Sequence, residues 1–276
     1  MQIPVYLIDA FTSRPFAGNP AAICPLQSWL PDATLQSIAN EHNLSETAYY
    51  VPNAKGAGHF DLRWFTPEVE VDLCGHATLA SAHVIRAIRR EYSGAEISFH
   101  TKSGVLTVTT EKAQEAERYV MDFPARPPLA LAPSDGVSQL TAALGAIPQT
   151  VLAARDYFCV FESEAQVLAL KPDMTKLAAI DKFAVIVTAP GSDCDFVSRF
   201  FAPAKGVPED AVTGSAHCSL IPYWAARLNK HAMFARQRSK RGGEIWCRQD
   251  GDRVGIAGHA VKFSEGVIEL SEGAGG

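Results

Sequence analysis

Two segments of the chain contain no Asp, Glu, Lys or Arg and consist mostly of apolar or small side chains. They are residues 77–85 (ATLASAHVI) and residues 216–226 (AHCSLIPYWAA). A helix that is apolar on every side is buried rather than amphipathic, and both segments are well short of the ~20 apolar residues of a membrane span. The pattern predicts two buried helices, the first from His76 to about Arg90. Pro222 is expected to kink or split the second.

The sequences that precede these two helices repeat each other. Residues 63–67 (RWFTP) match residues 199–203 (RFFAP), and each copy continues into an acidic loop. Each loop then reaches a small-residue turn, at residues 74–77 (CGHA) or 213–216 (TGSA). Features shared in the same order predict an internal duplication, in which a strand, an acidic loop, a glycine turn and a buried helix occur twice.

Shorter polar and apolar alternations predict the remaining elements. Helices are predicted at 32–43, with Asp32 as the N-cap, and at 137–144, 165–170 and 174–180. In the first half, strands are predicted at 3–11, 21–24, 46–51, 59–65, 69–71, 97–100, 105–110 and 118–123. In the second half, they are predicted at 151–161, 184–188, 194–201, 233–238, 244–248, 253–257 and 261–270.

Residues 124–135 (PARPPLALAPSD) contain four prolines and predict an extended connector. We place the domain boundary there, with an N-terminal half over residues 1–125 and a C-terminal half over 126–276, whose last strand can pack on the N-terminal half. The predicted fold class is α+β, with two pseudo-symmetric halves. Each half is a curved, mostly antiparallel sheet around a central buried helix. We expect Gly75 to superpose on Gly214 and the two glycine turns to face each other across a cleft.

Composition narrows the classes of function. The 276 residues carry a net charge of −5, which argues against nucleic acid or an anionic membrane as the main partner. The N-terminus lacks the pattern of a signal peptide. The six cysteines show neither a CxxC pair nor a metal-ligand spacing, so we expect reduced thiols, a cytoplasmic location and no metal site.

The two glycine turns are candidates for anion binding. Backbone N–H groups at a helix N-terminus lack intrahelical partners and attract carboxylates, and Gly75 and Gly214 allow a ligand to approach the backbone closely. The alternative is an ordinary helix start in which Ser215 is the cap. Glu46 begins an otherwise uncharged strand, and apolar neighbours raise a carboxyl pKa as a general acid/base requires. The alternative for Glu46 is a solvated residue at a strand end.

Three further polar residues lie at or beside the turns. His76 and Asp210 are placed to face the predicted cleft from opposite halves, although His76 can also simply begin a helix and Asp210 can simply brace a loop. Cys74 is either a nucleophile or base, or a small buried residue. The sequence around Ser215 lacks the glycines of the G-x-S-x-G motif, which argues against a serine hydrolase.

Six motifs carry a resemblance to a known family. They are residues 9–11 (DAF), 16–20 (FAGNP), 43–48 (NLSETA), 63–67 (RWFTP), 74–78 (CGHAT) and 209–217 (EDAVTGSAH). In these motifs the chain resembles the PhzF-like isomerases of phenazine biosynthesis over essentially its whole length. The resemblance implies a diaminopimelate-epimerase-like fold with its site between the two halves. It also implies a homodimer and cofactor-free proton transfer on a small carboxylate-bearing metabolite.

The resemblance also implies roles for individual residues. The glutamate matching Glu46 shuttles a proton between carbons of a ring, and residues matching His76 and Asp210 steer protons or bind substrate. Substrate-binding positions match Asn19, Gly75, Gly214 and Ser215. A related racemase class uses two thiols, but the second position here is Thr213, whose hydroxyl pKa is far too high to replace a thiolate. A non-catalytic binding or interaction protein on the same scaffold is the other alternative.

Overall fold

The chain folds into two units. A computed structural model describes residues 1–113, 116–131 and 136–270. The first unit comprises Met1–Asp122 together with the chain from Ala257 onward, and the second comprises Phe123–Ile256. The last strand therefore belongs to the first unit. Part of the proline-rich connector, residues 132–135, lies outside the described residues.

The first unit is built from strands around two helices. The helices are α1 (Asp32–His42) and α2 (Gly75–His83), and α2 continues as a π-helical turn (Val84–Ile88). The strands are β1 (Gln2–Ala10), β2 (Asn19–Pro25), β3 (Glu46–Pro52), β4 (His59–Phe65), β5 (Glu70–Val71), β6 (Glu96–Thr101), β7 (Gly104–Glu111), β8 (Arg118–Pro124) and, from the C-terminus, β17 (Ala260–Glu269).

The second unit is likewise built from strands and helices. Its helices are α3 (Val137–Leu144), α4 (Glu164–Ala169), α5 (Met174–Ala178) and α6 (Gly214–Leu228). Its strands are β9 (Leu129–Ala130), β10 (Thr150–Ala153), β11 (Tyr157–Val160), β12 (Val185–Pro190), β13 (Phe196–Phe201), β14 (Ala232–Gln237), β15 (Gly243–Asp250) and β16 (Arg253–Gly258), the last of which ends in the first unit.

The strand pairing of the two units follows one order. In the first unit β1 is antiparallel to β2, β2 parallel to β3, β3 antiparallel to β4, β4 parallel to β6, and β6 antiparallel to β7. In the second unit the same sequence of orientations joins β10, β11, β12, β13, β14 and β15. Antiparallel pairs predominate in both. The duplicated α+β architecture predicted from the sequence is confirmed.

Side chains of the repeated motif also make the same contacts twice. Arg63 donates from Nε and Nη2 to the two carboxylate oxygens of Glu70, at 2.7 and 2.9 Å. Arg199 contacts Glu209 in the same way, at 2.8 and 3.1 Å. Each guanidinium also lies over the phenylalanine two residues later in its own strand, at 5.1 and 4.9 Å from the ring centre. Each motif thus anchors its acidic loop to the strand that precedes a buried helix.

Helix α6 passes through Pro222 as one helix, so of the two predicted outcomes, a kink or a split, the split is wrong. Proline has no N–H to donate to the carbonyl four residues earlier, which leaves the oxygen of Cys218 without its intrahelical partner. The backbone N–H of Arg126 donates to that oxygen at 2.7 Å. A segment outside the helix therefore supplies the hydrogen bond that proline removes.

Two other local predictions are wrong. Pro31, not Asp32, is the N-cap of α1, and the Asp32 carboxylate instead accepts from Nη1 of Arg63 at 2.9 Å. The single strand predicted over 151–161 is a hairpin of β10 and β11, because the chain turns at Arg155, whose guanidinium pairs with the Asp156 carboxylate at 3.0 Å. Most other elements begin or end within a few residues of their predicted bounds. Among the described residues, no helix is both long enough and apolar enough to cross a bilayer.

Candidate functional site

Strand alternation directs Asn19 and Glu46 toward helix α2. Strands β2 and β3 are parallel neighbours, with Ala21 opposite Glu46. Cys24 and Tyr49, which point to the opposite face, belong to the apolar core that α1 closes. Since alternate residues share a face, Asn19 and Glu46 lie on the face that packs against α2.

Two backbone turns set the positions of Asn19 and Glu46. Gly18 has φ +67°, and a Cβ at this position would lie 2.1 Å from the carbonyl oxygen of Ala10, so glycine is required immediately before Asn19. Asn43 ends α1 in the left-handed conformation, with φ 50°, and directs the chain into β3. The two motifs that contain these turns thus set the positions of Asn19 and Glu46.

His76 lies at the centre of a buried polar network. Its Nε2 is 3.2 Å from Oε2 of Glu46, and its Nδ1 is 3.2 Å from Nδ2 of Asn19. The Asn19 amide oxygen accepts from the hydroxyl of Ser45 at 3.3 Å. The side chain of Glu46 is 18% exposed and that of His76 is 6% exposed, so the network reaches solvent mainly at the carboxylate.

These contacts determine the protonation state of His76. Burial lowers its pKa to about 3, so the ring is neutral at physiological pH. The Asn19 NH₂ group is only a donor, so Nδ1 accepts and the ring proton lies on Nε2. Nε2–H therefore faces the Glu46 carboxylate, 3.2 Å from Oε2. The result is a polar series from Ser45 through Asn19 and His76 to Glu46, in which the last step is a close contact.

Cys74 lies beside the same imidazole. It is the N-cap residue of α2, is buried, and has its Sγ 3.5 Å from Nδ1 and 4.0 Å from Nε2 of His76. One donor atom each from Cys74, His76 and Glu46 can be chosen so that all three lie within 4.8 Å of one another. The sequence did not predict this cluster, because Glu46 comes from a different strand and no metal-ligand spacing links it to the other two residues.

A second polar group surrounds the glycine turn of the other unit. The Thr213 hydroxyl donates to Oδ2 of Asp210 at 2.6 Å, and the buried Gln237 holds the turn from β14. Gln237 accepts from the Thr213 N–H at 2.8 Å and donates to the Asp210 carbonyl at 2.8 Å. The first of these hydrogen bonds orients the Asp210 carboxylate, and the other two hold the backbone of Thr213 and Asp210.

Ser215 is the second residue of α6 and is not its cap, which is Thr213. Its Oγ lies 3.3 Å from Nη2 of Arg155, at the turn between β10 and β11. The guanidinium also lies 4.3 Å from the ring centre of Phe183 and pairs with Asp156. The N-terminal end of α6 therefore combines its unpaired backbone N–H groups with one cationic side chain.

The structure groups the predicted site residues by unit. Asn19, Glu46, Gly75 and His76 lie together in the first unit. Asp210, Gly214 and Ser215 lie together in the second. Gly75 and Gly214 are the first residues of α2 and α6, and neither helix has a side-chain hydrogen bond from its N-cap residue.

Sequence reasoning did not identify Ser45, Arg155 or Gln237 as members of these groups. Gln237 had a usable signal, since strand alternation places this polar residue on the same face as Met233 and Ala235. Arg155 had only a weak one, because it and Asp156 lie between two apolar segments that together resemble one strand.

Known proteins resemble this chain over nearly all of its length. The family model of phenazine biosynthesis-like proteins (PhzC-PhzF) matches residues 8–266. A protein named as an uncharacterized isomerase from Pseudomonas aeruginosa is 53% identical over 272 residues, which cover 98% of this chain and 100% of the relative.

Solved structures agree with this assignment. A PhzF-family phenazine biosynthesis protein from Enterococcus faecalis has a TM-score of 0.89 and 43% identity, covering 98% of this chain and 100% of that one. A hydroxyproline epimerase from Agrobacterium vitis has a TM-score of 0.59 at 9% identity, covering 99% and 94%, and shares the fold alone. The epimerase-like fold implied by the sequence motifs is therefore confirmed, and the chain belongs to the phenazine biosynthesis-like family.

Proposed function

We propose that this protein is an isomerase that moves a proton between carbon atoms of a small carboxylate-bearing metabolite, by an allylic shift or an epimerisation. Glu46 is the general acid/base in this proposal. The isomerase class is supported by the family and by relatives that are named isomerases. The residue roles rest on the geometry of the two polar groups.

One observation carries the proposal, namely the 3.2 Å contact between His76 Nε2 and Glu46 Oε2 inside the buried network. A neutral imidazole beside the carboxylate restricts its orientation and adds no positive charge. The other carboxylate oxygen is then the natural acceptor of a proton from a substrate carbon. Glu46 takes that proton, becomes neutral, and returns it to a different carbon or to the opposite face, so the enzyme ends in its starting state.

A glycine turn would hold the substrate carboxylate. The first-turn N–H groups of α2 and α6 favour a bound anion, and the Arg155 guanidinium adds a positive charge 3.3 Å from the Ser215 hydroxyl. Charge-assisted hydrogen bonds from such a group are stronger than neutral ones. Asp210, held by Thr213 and Gln237, supplies a carboxylate for a hydroxyl or amine substituent of the substrate.

A two-thiol racemase mechanism has less support. It requires a thiol at both turns, and the residue that corresponds to Cys74 is Thr213, whose hydroxyl donates to Asp210 at 2.6 Å. A hydroxyl with an ordinary pKa is not a base at neutral pH. A non-catalytic binding protein remains the alternative from a different class, and the buried contact between Glu46 and His76 argues against it.

Solvent isotope exchange separates these functions. The protein is incubated in deuterated water with a panel of small carboxylates, including hydroxylated cyclic and amino acids, and deuterium at carbon is read by NMR and mass spectrometry. The proposal expects enzyme-dependent incorporation into at least one substrate class, and loss of that incorporation in Glu46→Gln. Binding of panel members without exchange would instead support the non-catalytic alternative.

A further inference from the structure

The thiol of Cys74 has no task in the proposed proton transfer, yet it lies against the residues that do. Within the described part of the chain, one group of His, Cys, Asp or Glu side chains has three potential metal-ligand atoms that all lie within 4.8 Å of one another. It consists of Cys74, His76 and Glu46. The individual distances are 4.0 Å from Sγ to Nε2 of His76 and 3.2 Å from that nitrogen to Oε2 of Glu46. We propose that this cluster is a binding site for Zn²⁺, and that the bound ion inhibits the enzyme by occupying Glu46.

The distances are close to those of a zinc site. Ligand atoms at the usual zinc bond lengths around a tetrahedral ion are separated by about 3.3 to 3.6 Å. The nitrogen–oxygen distance of 3.2 Å is just below this range, and the sulfur, 4.0 Å from the same nitrogen, must approach it by roughly half an ångström. Three protein ligands leave the fourth position to water, as in sites that remain open to solvent. The partly exposed Glu46 carboxylate provides the route of entry.

Zinc binding is accompanied by two proton movements. Zn²⁺ displaces the proton of the Cys74 thiol, which leaves to solvent, and the ring proton of His76 moves from Nε2 to Nδ1. After a rotation of its amide, Asn19 can accept that Nδ1–H through its side-chain oxygen. A histidine ligand that donates its other N–H to an oxygen acceptor is the usual arrangement around protein-bound zinc.

Ligand type also indicates which cations the site would prefer. Thiolate and imidazole favour Zn²⁺, whereas Mg²⁺ and Ca²⁺ require oxygen ligands that this cluster supplies only once. Binding of zinc is independent of the reaction assigned above. Only the inhibition rests on the proposed function, because it depends on Glu46 being the acid/base.

Direct titration of the untagged full-length protein with Zn²⁺, in competition with a chromophoric chelator, tests the binding. One ion per chain is expected. Cys74→Ser and His76→Gln should each weaken binding by at least the ~10-fold that loss of even an outer-shell partner produces. Co²⁺ in place of Zn²⁺ should give a thiolate-to-metal absorption band that is absent from Cys74→Ser.

Two variants control for other sites. His100→Ala removes half of the pair formed with His59, whose ring nitrogens lie 3.2 Å apart and are another place where zinc can bind. Cys194→Ser removes the one cysteine that is not buried. Both should retain the stoichiometric site. Absence of stoichiometric zinc binding, or binding lost in His100→Ala and retained in a folded Cys74→Ser, would overturn the proposal.

The inhibition is measured once an exchanging substrate has been identified. Zn²⁺ should abolish deuterium incorporation by the wild type, and the concentration for half-inhibition should rise at least ~10-fold in Cys74→Ser, in step with the lost affinity. Stoichiometric zinc binding without inhibition would refute the inhibitory part and leave the site itself intact. If no substrate exchanges, the proposed function fails while the titration still decides the metal site.

Discussion

Thr78 and His217 make the same hydrogen bond in the two halves of the molecule. The Thr78 hydroxyl donates to the carbonyl of Cys74 at 2.6 Å, and Nδ1 of His217 lies 2.8 Å from the carbonyl of Thr213. Each side chain thus reaches back one helical turn to the residue that precedes the glycine. Because a carbonyl only accepts, His217 carries its proton on Nδ1. Two different residue types therefore preserve one local structure after duplication.

Burial of neutral histidines predicts a pH-dependent stability. Burial lowers the pKa of His217 to about 4, despite the opposing effect of its bond to Thr213, and burial together with the Lys262 charge lowers the pKa of His83 to about 4. Both bind a proton near pH 6.5 when unfolded. Between pH 6.5 and 4 the unfolded chain therefore holds more protons, and stability falls as the pH falls, by up to roughly 1.4 kcal/mol per pH unit for each histidine.

Urea unfolding at pH 7.5, 6 and 5 measures this effect. The unfolding free energy should decrease steadily from pH 6.5 downward, and His83→Gln should reduce the slope by about one histidine's share. A free energy that stays constant between pH 7.5 and 5 would show that these residues are not held neutral.

Arg155 is predicted to contribute to the binding of an anionic substrate. Arg155→Met removes the charge beside Ser215 and keeps much of the packing on Phe183. Loss of a hydrogen bond from a charged group costs about 1.5 to 3 kcal/mol, so KM should rise roughly 10- to 150-fold with a smaller change in kcat. Arg227→Met, at the opposite end of α6, is the matched control and should leave KM unchanged. An unchanged KM in Arg155→Met would remove Arg155 from the site.

Gln237 is predicted to position Asp210. Gln237→Met keeps the side-chain volume but leaves the Thr213 N–H and the Asp210 carbonyl without their partner, which should cost about 1 to 3 kcal/mol of unfolding free energy. The variant should also lower kcat under conditions in which it remains folded. Gln249→Met, near an exposed hairpin turn, serves as the control for both readouts. A variant that loses stability but keeps wild-type kcat would restrict Gln237 to a structural role.

The homodimer implied by the family resemblance remains a prediction, and an exposed aromatic pair indicates where to test it. Phe16 is 75% exposed and Phe263, on β17, is 49% exposed, with their rings 5.5 Å apart. Light scattering at micromolar concentration should give twice the mass of one chain, and Phe263→Glu should give a monomer. Ile147→Glu, at an even more exposed apolar position in the other unit, should remain a dimer. A monomeric wild type would reject the prediction.

The duplication was predictable from sequence because the residues that anchor it are themselves repeated. Arg63 and Arg199 each pair with the acidic loop that follows, so the structural repeat has a direct record in the chain. Asn19 and Glu46 lie in two separate motifs, which come together only because β2 and β3 are parallel neighbours. The family motifs identified both residues, but their contact with His76 depends on the register of β2 and β3.

Other features had little or no local signal. The hairpin at Arg155 is marked only weakly, by Asp156 and two alanines between two apolar segments. A proline at position 222 indicates a break in a helix. The hydrogen bond that compensates for it is donated by the backbone of Arg126, which is far away in sequence. The Cys74–His76–Glu46 cluster is likewise formed by tertiary structure, because ligand spacing along the chain reveals only sites that lie on one element.

Glu46 is predicted to transfer the proton, whereas Cys74 is not. General acid/base catalysis typically contributes ~10² to 10⁴-fold, so Glu46→Gln should lose about that factor in turnover while substrate binding is largely kept. Cys74→Ala should retain most activity and lose a little stability through a small buried void. His76→Ala and Asp210→Asn should fall between, since each orients substrate or supports Glu46.

The most direct measurement is the rate of deuterium incorporation into an active substrate by Glu46→Gln and Cys74→Ala, compared with the wild type under chelated, metal-free conditions. Exchange should fall by at least ~10²-fold in Glu46→Gln and stay near the wild-type rate in Cys74→Ala. Near-normal exchange in Glu46→Gln together with an inactive, correctly folded Cys74→Ala would contradict this prediction and indicate a thiol mechanism.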